Sequence, residues 1–175
     1  MSIIRVLGID PSAVHVGRSI IEFDTETKEY QCLDAGTIND ITDIHKKKYR
    51  YPELLEQYDN ISQNIKKYIQ DWQPTLLGIE LPVFTGQAAY NGGFCLQAVG
   101  IIRLIAYKMQ LKEYGFSPTE VKMILTGKGR ADKKAVVYKL KEMFPAQKFT
   151  TSDDHRADST MIALSVLHKE FGVRF

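Results

Sequence analysis

The chain has 175 residues, of which 44% are hydrophobic and 25% charged, and its formal net charge is +2. That is enough chain for one domain, residues 1–175, with a sizeable core, and the composition is ordinary for a globular protein. No run approaches the ~18 uninterrupted apolar residues of a membrane span. Cys32 and Cys95 form no Cys-x-x-Cys pair. The amino terminus enters a strand-like segment without a signal-peptide layout, so a reducing cytoplasm is the predicted setting.

Residues 3–10 are dense in Ile, Val and Leu and end at Asp10-Pro11-Ser12, the pattern of a buried strand entering a turn. Strand-like runs follow near 17–24 and 29–37, joined by polar Asp24-Thr25-Glu26-Thr27-Lys28, so the chain opens as an antiparallel meander. From Tyr51 to Trp72 the period changes. Leu54, Tyr58, Ile61, Ile65, Ile69 and Trp72 recur at three- and four-residue steps, which predicts an amphipathic helix stopped by Pro74. Residues 75–80 are almost wholly apolar, as in a strand buried on both faces and parallel to the first. The glycine- and proline-bearing stretch 82–93 reads as a loop, and 94–111 as a long helix buried on two sides. Residues 114–116 form a short last strand. Ser117-Pro118-Thr119-Glu120 has the form of a capped helix start. Gly127 and Gly129 interrupt, 131–144 is helical again, and a final helix runs from Asp153 or Asp154 to about Phe171.

Three meander strands, helix, strand, helix, strand and helices predict an α/β protein of the ribonuclease-H-like fold: a mixed five-stranded sheet flanked by helices. In such a sheet the first and fourth strands are neighbours, so Asp10 and Glu80 meet at their ends. The last helix then brings His155 and Asp158 alongside, since a spacing of three puts both on one face of its first turn. A glutamate ending an apolar strand is costly to bury unless it is paired or metal-bound. Carboxylates gathered this way suit divalent ions, and two ions about 4 Å apart can activate a water and stabilise a leaving oxygen in phosphodiester hydrolysis. His155 suits either a nitrogen ligand or a general acid/base. Asp153 and Asp154 read mainly as a helix cap.

Charge is unevenly spread. Residues 101–149 hold eleven Lys or Arg against four acids. Lys122, Lys128, Arg130, Lys133 and Lys134 straddle Gly127-x-Gly129, where backbone amides can approach phosphates closely. Phe84, a large aromatic among small residues just after Glu80, suits a wedge stacking on an unpaired base.

These segments, in this order, are similar to those of a known family. Gly8-Ile9-Asp10-Pro11-Ser12, Ile79-Glu80 with Val83-Phe84, and Gln97-Ala98-Val99-Gly100 are the first three. Val121-Lys122 with Gly127-x-Gly129-x-Ala131-Asp132-Lys133, and His155-Arg156-Ala157-Asp158-Ser159, complete the set. Over nearly its whole length the chain resembles the RuvC family of Holliday-junction resolvases. The resemblance implies a homodimeric endonuclease that binds branched DNA, nicks four-way junctions symmetrically and requires Mg²⁺, with Mn²⁺ able to substitute, at two ions per active site. It implies a bacterial or phage-infected cell, or alternatively an organelle, as the setting. It also implies that Asp10, Glu80, His155 and Asp158 are the catalytic, metal-binding set, with histidine at 155 where many relatives carry aspartate. Lys122 and Lys133 match basic residues of DNA contact and catalysis, and Phe84 matches the aromatic at the junction centre. The chain departs from the family pattern at Ser12 and Ser19, where glycines are usual, and by one extra residue between Glu80 and Phe84, a stretch that holds Pro82. Dimerisation suits the surplus apolar surface of residues 94–111.

Two other readings keep the fold: a broader nuclease of three-way and flap DNA, and a catalytically silent junction-binding module. Four charges held together argue against the second.

Overall fold

The computed structural model describes residues 2–11, 15–39, 51–82 and 93–175. Strands β1 (Ile3–Asp10), β2 (His15–Asp24), β3 (Tyr30–Asn39), β4 (Leu76–Glu80) and β5 (Lys112–Phe116) form one sheet in the order β3-β2-β1-β4-β5. The first three are antiparallel neighbours, β4 runs parallel to β1, and β5 runs parallel to β4. The helices are α1 (Tyr51–Trp72), α2 (Gly93–Lys108), α3 (Pro118–Thr126), α4 (Lys133–Met143) and α5 (Asp154–Phe171). This is the mixed five-stranded α/β sheet that the sequence predicts. Among the described residues no helix is long and apolar enough to cross a membrane.

Boundaries move where local chemistry decides them. The α4 helix starts at Lys133 rather than 131 because Asp132 caps it, its carboxylate accepting from the Ala135 amide at 2.8 Å. The α2 helix ends at Lys108 rather than 111, since Gln110 turns into the left-handed region at φ 61°. The start of α3 is as predicted: Ser117 and Glu120 form a reciprocal capping box with Pro118 at the first position.

Side chains alternate across a strand, so each strand feeds two cores. Leu7, Ile9, Ile20, Leu77 and Ile79 pack with Ile61, Ile65 and Ile69 of α1 and Ile102 and Ile105 of α2. On the opposite face Val6, Ile21, Leu76 and Phe116 pack with Val121, Leu140, Met161 and Ile162 of α3, α4 and α5. The expectation that 94–111 is buried on two sides is corrected. The α2 residues Leu96, Leu104 and Tyr107 are exposed, and it is α5 that is buried without interruption from Ser159 to Leu167. Its small polar side chains fold back on their own helix, with Ser159 and Thr160 donating to the Arg156 carbonyl and Ser165 to that of Met161.

Two glycines let α5 lie against the sheet. They face each other across β1 and β4. A Cβ at Gly8 would stand 2.1 Å from the Ser159 carbonyl oxygen, and one at Gly78 would stand 2.7 Å from Val166 Cγ2.

Candidate active site

The two-residue period of a strand places Asp10 on the same face as Gly8, and Glu80 on the same face as Gly78. That face is the one α5 covers. The register Ile9↔Ile79 sets Asp10 and Glu80 at the next position of neighbouring strands. The first turn of α5 supplies the rest. Oδ2 of the buried Asp10 lies 2.6 Å from Nδ1 of His155, and Asp158 follows one turn on.

Several contacts hold this turn in place. Thr37 of β3 donates to Asp153 Oδ1 at 3.1 Å, and Arg156 Nη1 donates to the Lys148 carbonyl at 3.1 Å. Arg156 Nε also lies 3.3 Å from Asp153 Oδ2. The cap reading of the two aspartates is thereby corrected. Asp153 occupies the cap position but makes no capping hydrogen bond, being held by Thr37 and Arg156 instead. Asp154 is the ion-pair partner of Lys133. The Asp153–Arg156 pair is local, at a spacing of three, but Thr37 and Lys133 are remote in the chain and give no local signal. Gly17, paired with Asp10 across β1 and β2, went unremarked in the sequence. A Cβ there would lie 2.2 Å from the His155 carbonyl oxygen.

Glu80, Asp158, Lys122, Lys133 and Asp154 line one cleft of about 110 Å³, floored by Val121, Val136, Val137 and Met161. Burial, reinforced by the carboxylates of Asp10 and Asp158, pushes the Glu80 carboxyl up to about 8, with Lys122 opposing. Burial, then Asp10 and Asp154, pushes Asp158 up to about 6, against the pull of Lys122 and Lys133. His155 is raised by its hydrogen bond to Asp10, with burial opposing. The Lys133 ammonium is raised by its bond to Asp154.

Three partly buried carboxylates that repel one another are short of positive charge. Hard oxygen donors of this kind fit a hard divalent cation. Among the described residues, no group of three or more His, Cys, Asp and Glu side chains is already arranged to hold an ion. The fit therefore lies in donor type and charge rather than in a closed ligand shell. Cys95, which the sequence did not single out, reaches the edge of the site, its thiol 3.3 Å from the Pro11 carbonyl oxygen.

The basic residues divide. Lys122 and Lys133 line the acidic cleft, whereas Lys128, Arg130 and Lys134 line a separate groove. Phe84 lies outside the described residues.

The family described as "Crossover junction endodeoxyribonuclease RuvC" matches residues 6–168 of the chain. A relative of that name from Prochlorococcus marinus (strain AS9601) is 31% identical over 170 residues, covering 95% of this chain and 98% of the relative. Among solved structures, Thermus thermophilus RuvC in complex with a Holliday junction substrate superposes with a TM-score of 0.76 at 22% identity, over 98% of each chain. The Thermus thermophilus RuvC structure gives 0.74 at 22% identity, again over 98% of each chain. At that identity the two structures establish the fold.

Proposed function

The chain belongs to the RuvC family of crossover junction endodeoxyribonucleases, and from that premise we propose that it resolves four-way DNA junctions by paired symmetric nicks. The observation that carries the reading is the meeting of Asp10, Glu80, His155 and Asp158 at one end of the sheet. There the carboxyls of Glu80 and Asp158 are both pushed upward, by burial first and then by the neighbouring Asp10 carboxylate.

In this reading Asp10, Glu80, Asp158 and His155 are the residues that would hold divalent ions, two per site. Bound Mg²⁺, or Mn²⁺ in its place, supplies Lewis-acid polarisation of the scissile phosphate and lowers the pKa of an attacking water. The chain's own residues do the rest. Asp10 orients the His155 ring through Nδ1, leaving Nε2 as the nitrogen that binds an ion or exchanges a proton. Lys122 and Lys133 set two ammonium groups beside the acidic cleft, where they offset charge on the phosphate. Phe84 is assigned the junction centre by its family position.

A four-way junction has two strands of like polarity to cut, and a two-fold dimer presents two sites to them. The outer face of α2 suits that role, with Leu96, Leu104 and Tyr107 48%, 53% and 81% exposed. Leu104→Glu is expected to convert a dimer to a monomer in size-exclusion chromatography with light scattering. The protein is assigned to the cytoplasm of a bacterial or phage-infected cell.

The test is nicking of an end-labelled four-way junction with Mg²⁺, beside duplex, three-way and flap DNA, with Asp10→Asn as control. Paired cuts on the four-way junction, lost in the variant, uphold the proposal. Equal cutting of three-way or flap DNA replaces it with a broader branch nuclease, and binding without cutting replaces it with a silent junction-binding module.

A further inference from the structure

The α4 helix has two working faces. Lys133, Val136 and Val137 look into the acidic cleft, while Lys134, Ala135 and Tyr138 look into a groove of about 970 Å³. The groove's other wall is the turn after α3, which Gly127 opens at φ 70° and which the Lys128 amide fastens by donating to Thr126 Oγ1 at 3.2 Å. That turn brings in Lys128 and Arg130, and Lys139 follows one turn after Ala135. Asp132 and Phe175, the last residue of the sequence, also line the groove, and the Asp132 carboxylate is engaged in capping α4. Among the described residues no ion pair satisfies Lys128, Arg130, Lys134 or Lys139, in contrast to Lys133 with its Asp154. Tyr138 lines this basic channel too, a large ring left 66% exposed.

We propose that this groove is a second nucleic-acid site, separate from the cleavage cleft, that takes an unpaired DNA strand. Four uncompensated cations suit a phosphate backbone of either kind. The exposed ring decides between them. A duplex arm keeps its bases stacked inside and presents only sugar and phosphate, leaving Tyr138 no π-face to cover. An unpaired strand offers base faces along with its phosphates, and a basic groove with an aromatic platform is the arrangement that binds such strands without sequence preference. Because α4 divides the groove from the cleft, a strand held there is not the strand being cut. The groove would secure a single-stranded branch or a melted arm beside the junction. That purpose rests on the junction-nuclease reading; the binding itself does not.

The probe is a short fluorescein-labelled oligo-dT, followed by anisotropy, beside a blunt duplex of the same length. Tyr138→Ala is expected to weaken oligo-dT binding about tenfold, the worth of one stacked base, and to leave duplex affinity unchanged. Tyr138→Phe, which keeps the ring, is expected to bind as the parent does. Lys128→Ala with Arg130→Ala is expected to lower the slope of log affinity against log salt by about 0.7 for each phosphate no longer neutralised. Equal losses on duplex and oligo-dT overturn the proposal in favour of a duplex-arm surface. An unchanged oligo-dT affinity in Tyr138→Ala and the double variant leaves the groove to an acidic protein partner and also overturns it. Single-turnover nicking of a saturated four-way junction separates the two readings. Tyr138→Ala is expected to nick at the parental rate, whereas a parent that never nicks defeats the nuclease reading and leaves the oligo-dT result standing.

Discussion

Asp10 and His155 are 145 residues apart in sequence, yet Oδ2 of one lies 2.6 Å from Nδ1 of the other. The central strand and the last helix are thereby joined at the point where the acidic groups gather. The contact also carries an electrostatic consequence, because a proton on the imidazole is favoured by the carboxylate it touches.

Asp10→Asn is expected to abolish Mg²⁺-dependent nicking, by about a thousandfold or more if several kcal/mol of charge stabilisation are removed. Junction binding in gel shift should survive. The same change removes the charge that raises His155, so the imidazole should titrate lower in the variant, as followed by its ring-proton NMR signals.

Glu80 and Asp158 give the metal-free protein a pH dependence of definite sign. Their carboxyls rise from 4.5 to about 8 and from 3.8 to about 6, so the folded chain holds protons that the unfolded chain releases. Their contribution to stability is complete below the unfolded values and is lost as pH rises through about 6 and then about 8. The Tm of chelator-treated protein should therefore fall across that window. Added Mg²⁺ should raise Tm more at about pH 8.5 than at about pH 5, because the ion binds the deprotonated groups.

Gly8→Ala and Gly17→Ala test the seating of α5. Each new Cβ would meet a backbone oxygen of α5, at 2.1 Å from Ser159 and 2.2 Å from His155 respectively. Urea denaturation should show losses of about 1–3 kcal/mol, the cost of overpacking a close interface. Gly17→Ala should in addition slow nicking at saturating junction, since it displaces the turn that carries His155.

Lys133 is shared between Asp154 and the cleft. Lys133→Ala should slow single-turnover nicking by about 10²-fold, as expected for the loss of one electrostatic donor. Asp154→Asn, which frees the ammonium, should cost far less. The comparison separates a role in the reaction from a role in tethering α5.

Tyr68 serves as a control outside the site. Its hydroxyl donates to Asp34 at 2.7 Å while Arg18 covers its ring and pairs with the same carboxylate, tying α1 to β2 and β3. Tyr68→Phe should cost about 1 kcal/mol in urea denaturation and leave the nicking rate unchanged.

Strand and helix order, and hence the sheet, could be read from the chain because they follow from hydrophobic period and punctuation. An apolar run ending at Asp10, a period of three to four from Leu54 to Trp72, and the Ser117-Pro118 cap are all local. So is the pairing of His155 with Asp158 on one helical face. What the sequence by itself could not determine depends on distances between remote segments. Tertiary structure decided that Asp153 binds Thr37 rather than a helix amide, that Asp154 takes Lys133, and that α4 divides five basic residues into two groups. It also decided which helix is buried. The apolar content of α2 is high, but its outer face meets no other part of the described chain, whereas α5, with its serines and threonines, lies between the sheet and α3 and α4. Burial is a property of what packs on both sides of an element. Small side chains such as Gly8, Gly78 and Ser159 admit that close approach even where hydropathy does not announce it.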